Sequence, residues 1–128
     1  MRATILIIDD SSEVRAIMRE ALALDGYQVI EAADGREGVR LFRENRPDLV
    51  LLDMIMPEKD GIETLNEILA INPAGNVFAF SGGRDSPVNT RVAVLLGAKR
   101  GFSKPFSVDD LLVAVHQELQ DGSKSGNP

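Results

Sequence analysis

The sequence predicts an α/β protein, a single doubly wound domain on a five-stranded parallel sheet. Three observations carry that prediction. Short apolar runs of strand length alternate five times with segments whose apolar residues recur at helical spacing. Most of those runs are almost continuously apolar, as strands buried on both faces are. The 128 residues fit one ordinary domain, and 44% hydrophobic with 27% charged residues is a globular balance.

Taken in order, Thr4–Ile8 reads as the first strand. Val14, Ile17, Met18, Ala21 and Leu22 mark the inner face of a helix that Asp25-Gly26 stops. Residues 27–30 form a second strand whose alternation places it nearer an edge. Gly35–Asn45 is a second helix with Val39 and Phe42 inward. Pro47 ends it, because proline disfavours helical backbone in the residue before it. Residues 49–52 are the third strand, with Asp53 at its end. Gly61–Ile71 sets Ile62, Leu65, Ile68 and Leu69 on one helical face, and residues 72–75 turn the chain. Residues 77–80 are the fourth strand. Pro87 suits the start of a fourth helix, followed by Val88, Val92, Leu95 and Leu96, with Gly97 at its end. Residues 100–102 make a weak fifth strand. Ser107 suits the cap of a last helix, with Val108, Leu111, Leu112, Val115 and Leu119 along it. Residues 1–120 thus form the domain, and residues 121–128, with no apolar side chain, are expected to be a disordered tail.

Composition narrows the function. With no cysteine, disulfides and thiolate metal sites are excluded. A net charge of −6 argues against general affinity for nucleic acid, and scarce aromatics with no Trp argue against a base-stacking platform. Asp9-Asp10 interrupts the first apolar run too early for a signal peptide, and no run approaches the roughly 18 apolar residues of a membrane span. A cytoplasmic protein is expected, without a membrane partner.

Polar residues collect where strands end: Asp9-Asp10, Asp53, Ser81 and Ser103-Lys104. In a parallel sheet these ends share one edge, and ligands bind there where the strand order reverses. The flavodoxin-like order 2-1-3-4-5, one of the common doubly wound arrangements, would put that crevice between strands one and three. It would gather Asp9, Asp10 and Asp53. Three carboxylates so placed need a shared proton or a cation. Oxygen-only donors favour a hard ion, and Mg²⁺ fits because it accepts a few carboxylates and keeps waters for a phosphate. A carboxylate, a hydroxyl, a lysine and a hard cation make a phosphoryl site, with the carboxylate as nucleophile forming an aspartyl-phosphate.

With these residues in place, the sequence resembles the receiver domain of two-component response regulators, in its stand-alone form. The resemblance rests on Asp9-Asp10, Asp53 with Met56-Pro57 and Asp60-Gly61, Ser81, and Lys104-Pro105-Phe106, in order after the right strands. It spans about residues 4–119, and the full set at these spacings is specific. It implies that Asp53 accepts a phosphoryl group from a phosphohistidine of a sensor histidine kinase or a histidine phosphotransfer protein. Asp10, Asp53 and the Ile55 backbone carbonyl would ligate Mg²⁺, with Asp9 helping through water. Ser81 would hydrogen-bond the phosphoryl group, and Lys104 would pair with its oxygens. The family's Lys-Pro bond is usually cis, a form only X-Pro bonds adopt cheaply. The output would be a downstream protein bound at a surface of helix four, strand five and helix five.

This sequence departs from the family at several positions. Gly101 stands where the switch aromatic usually is, and Phe102 would face the other side of the strand. Ile55, two residues after Asp53, replaces a side chain that is often polar, and Gly83 is bare two residues after Ser81. An apolar cover over the phosphoryl group is the expected result. Lys59 stands where relatives often have an apolar residue.

Plainer roles remain for some residues. Asp10-Ser11-Ser12-Glu13 fits a helix cap with an acid at its third position. Ser81-Gly82-Gly83 can be only a turn, Lys104 a surface lysine, and Met54-Ile55-Met56 loop packing. Asp109-Asp110 suits a helix dipole, and His116, the single histidine, a solvated boundary. Four functions compete: a phosphorylation-controlled binding module, a relay intermediate or phosphate sink, an Asp-nucleophile phosphatase of the haloacid-dehalogenase type, and a flavin carrier. The phosphatase wants a second acid at Ile55, and the flavin carrier's phosphate would be repelled by Asp9-Asp10. The first is expected, with catalysis limited to the domain's own phosphorylation and slow self-dephosphorylation.

Overall fold

The computed structural model describes residues 2–56, 60–84 and 86–125. Strands and helices alternate: β1 (Thr4–Ile8), α1 (Ser12–Leu24), β2 (Gln28–Ala32), α2 (Gly35–Asn45), β3 (Leu49–Asp53), α3 (Gly61–Ile71), β4 (Val77–Ser81), α4 (Ser86–Leu95), β5 (Arg100–Ser103) and α5 (Val108–Ser125). All four strand pairings are parallel, in the order β2-β1-β3-β4-β5. The expected fold class and strand order are those observed.

Strand alternation splits the core into two layers. Leu6, Ile8, Val50, Leu52, Val77 and Ala79 face one side, where Val39 and Phe42 of α2, Leu65 and Ile68 of α3 and Ala93 of α4 cover them. Ile5, Ile7, Leu49, Leu51, Phe78 and Phe80 face the other, under Met18 and Leu22 of α1 and Leu111 and Val115 of α5. Every residue of β3 and β4 is buried, which is why these strands read as unbroken apolar runs. The edge strand β2 is only partly covered, in keeping with its alternation.

Several details differ from the sequence reading. β2 is shifted to Gln28–Ala32, and β5 gains Ser103. The α1 cap is Ser11 rather than Asp10: the Ser11 hydroxyl accepts from the Val14 N–H, leaving Asp10 to the strand edge. α5 runs through Ser125, so residues 121–125 continue a helix where a disordered tail was expected; once a helix is nucleated, extending it costs little. Residues 126–128 lie outside the described residues. The fourth helix differs most. Val88, Leu95 and Leu96 are exposed, and the buried residues of α4 are Ser86 and Ala93. A helix with apolar side chains all round offers no periodicity from which to choose a face. Ile17 and Ile62 likewise lie toward solvent.

Candidate functional site

β1 and β3 are neighbours, so their carboxyl ends bring Asp9 and Asp53 together at one edge. Asp9, Asp10 and Asp53 each offer an oxygen within 4.8 Å of the others. Asp9 and Asp53 are buried and Asp10 is exposed. Burying carboxylates is costly without partners. The partners are specific. Lys104 Nζ lies 2.7 Å from Asp9 Oδ2 and 3.6 Å from Asp53 Oδ2, so the lysine after β5 is held mainly by Asp9. Asp9 Oδ1 accepts from the Ser11 N–H at 2.9 Å, and Asp53 Oδ1 accepts from the Ile55 N–H at 3.1 Å.

These bonds do not cancel the cost at Asp53. Burial, then the neighbouring Asp9, push its carboxyl up to about 6, Asp10 adds to the rise, and the Ile55 N–H and Lys104 oppose it. Such a carboxylate lacks positive charge. All the donors are oxygens, and exposed Asp10 leaves one side open to water, so the set fits Mg²⁺.

The loop after Asp53 is pinned from α3. Asp60 caps that helix by accepting from the Glu63 N–H at 2.8 Å, and the Gly61 N–H donates to the Met54 carbonyl. A β-carbon on Gly61 would lie 2.3 Å from Met54 Cα, so only glycine lets the helix start this close. Met54 and Met56 are buried while Ile55 is 52% exposed, so Ile55 alone of the three stands at the mouth. Pro57 and Lys59, two residues of the sequence reading, lie outside the described residues.

Ser81 ends β4, one residue beyond the Phe80 that pairs with Asp53. It is fully buried, and its Oγ accepts from Asn89 Nδ2 of α4 at 3.3 Å. Ser103 ends β5, and the Lys104–Pro105 bond is cis. Gly101 faces α4: a β-carbon there would lie 2.6 Å from Thr90 Cβ. Phe102 points to the opposite layer and stacks on Phe80 at 4.9 Å.

Three contributors escaped the sequence reading. Arg15 donates to the Asp9 carbonyl at 2.7 Å while pairing with Glu31. The Ile55 N–H serves Asp53, and Asn89 reaches Ser81. No motif announced them, since each depends on how one element is rotated against another. Two plainer roles are observed as well: Ser107 Oγ accepts from the Asp110 N–H at 3.2 Å, and His116 is exposed.

Comparison with known proteins agrees with this geometry. The family model described as "Response regulator receiver domain" matches residues 5–116. The chain is 37% identical over 121 residues to the chemotaxis protein CheY of Bacillus subtilis, covering 93% of this chain and 99% of that protein. It is 35% identical over 119 residues to sporulation initiation phosphotransferase F of the same organism, covering 93% of this chain and 95% of that protein. Among solved structures, a response regulator receiver domain protein from Clostridium thermocellum superposes with a TM-score of 0.88 at 34% identity, covering 94% of this chain and 97% of that one. No described helix is long and apolar enough to cross a membrane. Match, fold and acidic strand edge together establish that the chain belongs to the response regulator receiver domain family of two-component signalling.

Proposed function

We propose that this domain takes a phosphoryl group from a phosphohistidine onto Asp53 and thereby changes a surface read by a protein partner. The observation that carries the reading is one cluster: three carboxylates within 4.8 Å, with Lys104 Nζ against two of them. The donor is a histidine kinase or a histidine phosphotransfer protein, the partners with which this family interacts. An Asp53 oxygen attacks phosphorus, the P–O bond forms, and the P–N bond breaks as the imidazole leaves with its electron pair. Asp10, Asp53 and the Ile55 carbonyl, with Asp9 alongside, would hold Mg²⁺, which would supply positive charge to the phosphoryl oxygens. Lys104 holds a further positive charge at the same edge, and Asp9 fixes where it stands. Ser81 offers a hydroxyl from the adjoining strand. Catalysis is limited to the domain's own phosphorylation and its slow reversal by water. Ile55 occupies the place where an Asp-nucleophile phosphatase needs a second acid.

A second reading within the class is a relay that passes the group on to another histidine. Gly101 favours it, because no aromatic side chain stands at position 101 of β5 to report the phosphoryl group, and Phe102 faces the opposite layer. Labelling with a phosphohistidine donor and Mg²⁺ tests both. Transfer to wild type and none to Asp53→Asn is expected, and undiminished labelling of Asp53→Asn would refute the assignment. Onward transfer to a second histidine protein selects the relay.

A further inference from the structure

The Ser81 hydroxyl accepts one hydrogen bond, from Asn89, and its own proton meets no acceptor among the described residues. A hydroxyl engaged on its oxygen from α4 keeps its single proton free to donate elsewhere. The Ser81 carbonyl is tied to the same helix. It accepts from the Lys104 N–H and from Ser86 Oγ, both at 2.8 Å. Ser86 Oγ also lies 2.8 Å from Ser103 Oγ. A carbonyl can only accept, so the one Ser86 proton goes to Ser81, and Ser103 donates to Ser86. Thr90 completes the contact. Its hydroxyl donates to the Ser86 carbonyl at 3.0 Å, and its Cβ occupies the space above Gly101. Asn89 itself lines a cleft of about 270 Å³ with Met54, Ile55, Met56, Asp60 and Ile62, which opens beside the loop that follows Asp53.

We propose that Asn89 and Ser86 are positioning residues that couple Ser81 to α4 in place of an aromatic at position 101 of β5. Asn89 holds the Ser81 oxygen so that its proton is offered to the phosphoryl group on Asp53. When Ser81 turns toward that group, the first turn of α4 follows through Asn89 and Ser86. The inference rests on the reading of Asp53 as phosphoacceptor.

The test measures labelling of Asp53 and the backbone amide NMR shifts of α4 with and without beryllofluoride, a phosphoryl mimic. Wild type should label and shift throughout α4. Asn89→Ala should lower the labelling rate about tenfold or more, the loss expected for one hydrogen bond to a charged group, and should silence the α4 shifts. Asn89→Asp, which accepts where Asn89 donates, should draw the Ser81 proton away and do the same. Adding Asn89→Ala to Ser81→Ala should lower the rate no further. Ser86→Ala should reduce the α4 shifts, and Val94→Ala, on the exposed side of α4, should change neither readout. Circular dichroism confirms that each variant is folded, and an Asn89 pair that cannot fold leaves Ser86→Ala to decide. Wild-type rate and α4 shifts in Asn89→Asp, or in Ser86→Ala full α4 shifts, would overturn the coupling. Failure of wild type to label would instead overturn the phosphoacceptor reading.

Discussion

Replacing Asp53 should stabilise the domain. The Asp53 carboxyl stands at about 6 against an ordinary 3.8, raised first by burial and then by Asp9. The folded chain therefore holds this proton more tightly than the unfolded chain does. Below about pH 4 the group is protonated in both states and costs nothing. As pH rises from about 4 through 6, ionisation penalises the folded state, and the full penalty is present above 6. A gap of about two pK units corresponds to about 3 kcal/mol. Water at the open side of the cluster screens the charge, which brings the expected penalty to about 1–2 kcal/mol. Asn has a similar shape and no charge, so Asp53→Asn escapes it. Urea unfolding of both proteins in chelator, at pH 4 and pH 7.5, measures the difference. The variant should gain at most about 0.3 kcal/mol at pH 4 and about 1–2 kcal/mol at pH 7.5. Millimolar Mg²⁺ should reverse the order by binding folded wild type. Equal stabilities at both pH values, or a more stable wild type at pH 7.5 in chelator, would refute the reasoning.

Other outcomes follow from particular contacts. Gly101→Ala should destabilise by about 2 kcal/mol, because its β-carbon would meet Thr90 Cβ at 2.6 Å and β5 must part from α4; thermal melts decide, and Thr90→Gly should relieve most of the loss. Ile55→Asn should shorten the phosphoryl lifetime several-fold, less than the roughly hundredfold of a positioned base, by orienting a water where an apolar side chain now stands; an unchanged decay of label would dismiss the apolar cover. Ser107→Ala should cost about 1 kcal/mol in unfolding experiments, since its hydroxyl caps α5 through the Asp110 N–H.

What the sequence disclosed depended on where the deciding interaction lay. β3 was legible because Leu49, Val50, Leu51 and Leu52 are buried on both faces and need no neighbour to be recognised. Asp53 and Lys104 were legible through spacing after strands, although their contact joins residues far apart in the chain. α4 was not, because Val88, Val92, Leu95 and Leu96 surround the helix and the buried side is chosen by Ser86 and Ala93. Asn89 was invisible for the same reason. Its bond to Ser81 exists only once the rotation of α4 is fixed. Gly101 was the nearest thing to a signal, a missing side chain that left room for Thr90.

The two core layers have a consequence for how such a chain can diverge. Following the alternation of its strands, Asp53 continues the layer of Leu49 and Leu51, under α1 and α5, while Ser81 continues the layer of Val77 and Ala79, toward α4. Among the described residues, no buried hydrophobic side chain belongs to both layers. Substitutions in the layer under α4 can therefore accumulate on one side of the sheet while the groove lined by Val14, Ile17 and Phe106, beside the layer under α1 and α5, is inherited intact on the other. One half of the domain can drift while the packing of the other is held.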